Sequence, residues 1–207
     1  MSKEPPLVKS STVDIVDRKM ALAKRYGPRT QELAERIARQ VGGYTTPLNY
    51  KSKKSTLGKM EEVGGDISQI KDLARTTIIV PRNKIEETLA AFDNIPNVSR
   101  LKRQTPEKMS GYSGNIINLK YRGLETEIQV NTEKMIYAKE KMPIAAKILG
   151  AKRWREIRRE TGMPGGFGHV YYEDFRSLGR GETKKTRRGR GAVTRMDSRI
   201  YYSFFQD

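Results

Sequence analysis

Two β-branched runs constrain this chain more than any other feature. Residues 71–80 read Lys-Asp-Leu-Ala-Arg-Thr-Thr-Ile-Ile-Val, and residues 123–132 read Gly-Leu-Glu-Thr-Glu-Ile-Gln-Val-Asn-Thr. Both have strand composition, and both set a carboxylate into or beside the apolar run. An acid there is costly unless something cationic compensates it, and a metal ion is the commonest reason to pair two. The pattern predicts that Asp72 and Glu127 meet across a sheet and hold Mg²⁺ for phosphoryl chemistry. In the second run Glu125, Glu127 and Gln129 point one way, while Thr126, Ile128 and Val130 point the other. One face is polar and one is buried.

The 207 residues suffice for one sizeable domain with appendages. A net charge of +17 calls for a polyanionic partner: nucleic acid, nucleotide phosphates or an acidic protein. No segment approaches the ~18 continuous apolar residues of a membrane span. With no cysteine, zinc ribbons, disulfides and thiol catalysis are excluded. The opening Met-Ser-Lys-Glu-Pro-Pro has no apolar signal region, which argues against signal-peptide export.

Residues 1–11 read as a loose lead, 12–175 as the domain and 176–207 as a basic tail. Apolar spacing over 12–40 predicts two helices, joined by a turn at Tyr26-Gly27-Pro28 and ended by Gly42-Gly43. A polar, basic loop spans 44–54, and a short helix capped by Ser55 spans 55–63. A strand over 76–80 and a helix over 83–92 follow, then a strand around 98–102. Strands at 115–121 and 125–131 flank Arg122-Gly123 as a hairpin turn. Residues 133–159 are mostly helical with a break at Met142-Pro143, and 169–176 form a short amphipathic element. From 176 to 199 there are nine Lys and Arg against two acids, which reads as a flexible arm. That arm is either a solvated surface or a track for phosphates. The final Ile-Tyr-Tyr-Ser-Phe-Phe is apolar enough to dock back onto the body.

Four pieces carry chemistry. Lys51, Ser55 and Lys59 are four apart, so on a loop running into a helix they present two ammoniums and a hydroxyl to phosphates. Alone they read equally as a solvated basic face. Asp72 with Arg75 is the second piece, and alone it is an ordinary ion pair. Ser-Gly-Tyr112-Ser-Gly sets an aromatic between glycines, suited to stacking on a base or to a plain turn. Glu127 and Gln129, on the polar side of their strand, form the fourth.

The order of these pieces resembles the synthetase domain of the RelA/SpoT family, the nucleotide pyrophosphokinases that make (p)ppGpp. The resemblance covers roughly residues 45–140 and rests on Lys51, Ser55 and Lys59, on Asp72-Leu-Ala-Arg-Thr-Thr, on Gly111-Tyr112 and on Glu127-Ile-Gln-Val-Asn-Thr132. It implies an α+β fold, a nucleotidyltransferase-like mixed sheet flanked by helices. It also implies transfer of the β,γ-pyrophosphate of ATP to the 3′-hydroxyl of an acceptor nucleotide. By position, Asp72 and Glu127 would be the catalytic and Mg²⁺-binding residues. Lys51, Ser55, Lys59 and Arg75 would bind ATP phosphates, and Tyr112 and Gln129 the acceptor, whether ADP, ATP, GDP or GTP.

Three positions depart from the family pattern. Asn49 and Thr77 stand where the family carries arginines, and Ile116 where it carries a histidine. These departures resemble the divergent branches used as toxins, which imply action in the bacterial cytoplasm, an antitoxin or immunity protein, and delivery by a secretion system without a signal peptide. With one histidine, the hydrolase centre found in longer relatives cannot be built. Two readings stay beside the leading one: the same chemistry on the 3′ end of tRNA or other RNA, and a non-enzymatic RNA binder on this scaffold.

Overall fold

The computed structural model describes residues 11–104, 111–177 and 184–206. The chain begins with α1 (Thr12–Val41), two short strands β1 (Tyr44–Thr45) and β2 (Asn49–Tyr50), α2 (Lys53–Glu62), β3 (Ala74–Ile79) and α3 (Ile85–Ala90). Strands β4 (Val98–Lys102), β5 (Asn115–Tyr121) and β6 (Leu124–Asn131) follow. The chain then turns helical: α4 (Glu133–Lys139), α5 (Met142–Leu149), α6 (Ala151–Thr161), α7 (Phe167–Ser177) and α8 (Lys184–Ser203). Six strands form one sheet in the order β1-β3-β6-β5-β4, with β2 also on β3. Among the described residues only β3 and β6 run parallel; the remaining pairs are antiparallel.

Strand alternation sorts the sheet into two faces. Ile78, Ile117, Leu119, Ile128 and Val130 pack with Leu33, Ala34, Ile37 and Ala38 of α1 and with Leu89 and Phe92 at α3. The opposite face receives Arg75 and Thr77 of β3 and Glu125, Glu127, Gln129 and Asn131 of β6. The β5–β6 hairpin closes through Arg122 and Gly123, both at positive φ (45° and 79°), as its two-residue turn requires.

The helix break expected at Tyr26-Gly27-Pro28 does not occur: α1 runs unbroken for 30 residues with Pro28 inside it. An internal proline removes one backbone hydrogen bond and costs about 3 kcal/mol. Packing around that turn opposes the cost. Tyr26 stacks on Tyr121 with ring centroids 5.7 Å apart and planes 2° from parallel. Gly27 lies so close to Tyr50 that a Cβ would stand 3.0 Å from its ring. Thr30 shares a buried 2.7 Å hydrogen bond with Thr126 on β6. Gly42, in the left-handed conformation at φ 74°, ends the helix where expected.

Three further expectations need correction. The polar loop 44–54 contributes β1 and β2, whose two-residue lengths are below what periodicity can register. The cap of α2 is Ser52, whose hydroxyl accepts from the Ser55 N–H at 3.1 Å, rather than Ser55 itself. The flexible arm expected over 176–199 is, from Lys184 onward, the helix α8. Its apolar end does dock: Tyr201, Tyr202 and Phe205 are buried with Met135, Tyr137, Ala138 and Ile157. The boundary expected after 175 falls inside α7. The loose lead over 1–11 lies outside the described residues except for Ser11, which caps α1.

The Thr30–Thr126 bond gives a stability test. Thr30→Val leaves the buried Thr126 hydroxyl unpaired and should lower stability by about 1–3 kcal/mol in urea unfolding. The double variant Thr30→Val/Thr126→Val should recover most of that loss, because neither hydroxyl is then left without a partner.

Candidate active site

The polar face of the sheet is assembled by register. Arg75 on β3 lies opposite Glu127 on β6 and opposite Asn49 on β2. Glu127 lies opposite Asn118 on β5, which lies opposite Arg100 on β4. Directly opposed residues share a face, so these five side chains form one row across the sheet.

Asp72 enters from the N-terminal end of β3. The ladder between β2 and β3 continues one residue past β2, where the Lys51 N–H donates to the Leu73 carbonyl at 3.0 Å. Lys51 is two residues beyond Asn49 and falls on the same face. Its ammonium bonds Asp72 Oδ2 at 2.9 Å, and Lys59 from α2 bonds Oδ1 at 2.9 Å. Ser55 stands one turn before Lys59 on α2 and is exposed. Burial pushes the Asp72 carboxyl up, but the hydrogen bonds and charges of Lys51 and Lys59 outweigh it and hold it below the ordinary value. The three side chains thus form one part-buried cluster in which two cations share a single anion.

Glu127 stands two strand positions before Gln129 on the same strand face. Gln129 Nε2 donates to Glu127 Oε1 at 2.7 Å, and Lys139 Nζ donates to Gln129 Oε1 at 2.9 Å. A file of hydrogen bonds therefore joins the Lys139 cation to the Glu127 anion through one amide. Lys139 also pairs with Glu140 at 3.1 Å and faces the Tyr112 ring at 5.7 Å. Burial pushes the Lys139 ammonium down, but the Tyr112 hydroxyl and Glu140 more than offset it and hold it above the usual lysine value.

Asp72 precedes β3 by two residues, and Glu127 lies on β6, the strand paired with it. Asp72 is three residues upstream of Arg75, the residue opposite Glu127, an offset of about 10 Å at ~3.3 Å per residue. No group of three or more His, Asp or Glu suited to a metal occurs among the described residues. Carboxylates are the donor type Mg²⁺ takes from protein, one or two at a time, its shell being completed with water and substrate phosphates.

Tyr112 is half-buried rather than exposed. Its hydroxyl accepts from Asn131 Nδ2 at 3.0 Å, and its ring lies 5.7 Å from Tyr202 of α8. The glycines around it have physical reasons. A Cβ on Gly114 would meet the Tyr112 hydroxyl at 2.1 Å, and one on Gly111, at φ 81°, would meet the α8 backbone at 2.8 Å. Lys139 and Asn131 were missed from sequence. Asn131 was legible as the next polar-face residue after Gln129 in the period-two pattern, whereas Lys139 is brought in by the turn between β6 and α4 and left no sequence signal.

No family model matches the chain. It is 37% identical over 149 residues to the (p)ppApp synthetase toxin Tas1 of Pseudomonas aeruginosa (strain UCBPP-PA14), an overlap of 70% of this chain and 34% of Tas1. The chain spans about a third of that relative's length. The crystal structure of the complex between the Type VI effector Tas1 and its immunity protein matches with a TM-score of 0.79 at 30% identity, covering 92% of this chain and 96% of that one. The chain belongs to the RelA/SpoT-type alarmone synthetase family. Small alarmone synthetase 1 of Bacillus subtilis, bound to its product pppGpp, matches this family member at TM-score 0.50 and 14% identity, over 90% of this chain and 93% of that one. That likeness concerns the fold, the mixed sheet flanked by helices.

The Asp72 cluster predicts a pH signature. A carboxyl held below its unfolded value of ~3.9 adds stability above that pH, and the contribution is lost as pH falls through the folded value. Asp72→Asn should therefore melt below wild type at pH 7. The two melting curves should approach each other as pH falls below about 4.

Proposed function

We propose that this alarmone-synthetase family member transfers the β,γ-pyrophosphate of ATP to the 3′-hydroxyl of an acceptor nucleotide, an adenine nucleotide foremost. We infer further that it acts as a growth-inhibiting toxin in the bacterial cytoplasm, countered by an immunity protein. One observation carries the reading: an aspartate clamped by two lysines just before β3 and an amide-tethered glutamate on the paired strand β6, in a chain similar to a (p)ppApp synthetase toxin. Adenine is favoured as acceptor base by that relative's name. The toxin reading draws on the same relative, whose crystal structure is a complex with its immunity protein.

The steps follow from the side chains. Lys51 and Lys59 neutralise the β- and γ-phosphate oxygens, with Ser55 adding a hydrogen bond, and release Asp72 from its ion pairs as they do so. Asp72 and Glu127 would hold a divalent cation, which when bound would draw charge from the transferring phosphates. Arg75, beside Glu127 in register, supplies a further cation to the phosphates. Tyr112 and Gln129 bound the acceptor side. The acceptor 3′-oxygen bonds to the β-phosphorus, the bond from that phosphorus to the α,β-bridging oxygen breaks, and AMP leaves. The 3′-hydroxyl proton passes to Glu127.

The RNA reading keeps one support, the net charge of +17. Mass spectrometry of products from γ-labelled ATP with ADP, ATP, GDP, GTP or tRNA separates the alternatives. The expected result is a pyrophosphorylated adenine nucleotide and an equal amount of AMP. Label on tRNA alone would favour the RNA 3′ end, and no AMP with any acceptor would favour a binder. Asp72→Asn and Glu127→Gln should each lower turnover by at least ~100-fold while the circular dichroism spectrum stays native.

No helix among the described residues is long and apolar enough to cross a membrane.

A further inference from the structure

Asn118, on β5, is 1% exposed, and its amide nitrogen has no hydrogen-bond partner. A buried donor left unmade is destabilising, so a fold that keeps one beside its polar site calls for an explanation. Its place in the sheet provides one. Asn118 is directly opposite Glu127 in the antiparallel β5–β6 pair, where opposed Cβ atoms are about 4.5–5.5 Å apart on one face. From there a side-chain amide can reach a carboxylate oxygen. Glu127 has a donor for one oxygen in Gln129, which bonds Oε1 from two residues along the same strand.

We propose that Asn118 is a positioning residue for Glu127, a role that rests on the pyrophosphoryl-transfer reading. Its Nδ2 donates to the Glu127 carboxylate when ATP and acceptor are in place. Gln129 restrains that carboxylate along β6, and Asn118 restrains it from the neighbouring strand. Two donors from two directions select one side-chain rotamer and hold the carboxylate toward the acceptor hydroxyl. The backbone that carries Asn118 is itself held by the ladder to β6, and its carbonyl lies 3.2 Å from the Ser99 hydroxyl, whose single proton is shared between that carbonyl and the Glu125 carboxylate at 2.7 Å. The donor left unpaired without substrates is thus the group that substrates engage through Glu127.

Nitrogen-15 NMR tests the contact directly. The side-chain NH₂ pair of Asn118 is assigned by its disappearance in Asn118→Leu. It should move downfield when Mg²⁺, a non-hydrolysable ATP analogue and ADP are added to wild type, and should move less in Glu127→Gln. In kinetics, Asn118→Leu should lower kcat by about 10–100-fold and leave KM for ATP within about twofold. Its melting temperature should equal or exceed that of wild type, because an orphaned donor has been removed. Asn118→Asp should lose more activity than Asn118→Leu by placing a second anion against Glu127. An Asn118 NH₂ pair that does not respond to the substrates, or wild-type kcat in Asn118→Leu, overturns the proposal. If wild type forms no product, the activity reading fails, and the NMR response still decides whether Asn118 serves Glu127.

Discussion

The parallel pairing of β3 with β6 is the interaction on which the rest of this molecule depends. It is the one parallel contact among the described residues, and it joins strands 45 or more residues apart in sequence. Because both strands alternate with period two, one register places Ile78 beside Val130 over α1 and Arg75 beside Glu127 on the far side. A slip of one residue would turn every charged group into the core. The apolar face therefore fixes the register, and the register in turn sets the arrangement of the polar face.

Electrostatic compensation explains why that face tolerates its acids. Asp72 is held by Lys51 and Lys59, Glu125 by Lys71 at 2.8 Å, and Glu127 by the Gln129 amide, which links it to Lys139, the ion-pair partner of Glu140. Desolvating an anion is costly, and direct or amide-mediated contact with an ammonium offsets that cost. These contacts also resemble what a nucleotide would supply or demand. On the function proposed above, phosphates would take over the lysines while a divalent cation would take the carboxylates. The surplus of +17 biases the whole surface toward polyanions before any specific contact forms.

The helix α8 ties the Gly111–Tyr112 turn to the body. Tyr202 lies against Tyr112, Gln206 Nε2 donates to the Gly111 carbonyl at 2.8 Å, and Gly111 passes close to the α8 backbone. Tyr201 bonds the Ala138 carbonyl at 3.0 Å, next to Lys139. The aromatic cluster at the chain's end thus supports both Tyr112 and Lys139, so the Gly111–Tyr112 turn is positioned by a helix almost a hundred residues further along.

Much of this was written locally. Alternation over 115–121 and 125–131, with Arg122-Gly123 between, determined the hairpin and its two faces. β-Branched composition marked the strand that includes Ile78, and Gly42 marked the end of α1. Chemistry-bearing types in a fixed order (Lys51, Ser55, Lys59, Asp72, Tyr112, Glu127, Gln129) pointed to phosphoryl transfer and to the family. Other features depend on partners distant in sequence. Pro28 signals a break by its own chemistry, and only Tyr121, Tyr50 and Thr126 reveal that α1 continues through it. The basic run ahead of Tyr201 has the composition of a solvated arm, and only burial of Tyr201, Tyr202 and Phe205 shows where its helix is anchored. Lys139 and Asn118 have no motif, since what makes them notable is the residue each faces. Local pattern is legible because backbone geometry imposes it within a few residues. Pairings such as Tyr26 with Tyr121 or Tyr112 with Tyr202 exist only once the chain has closed on itself.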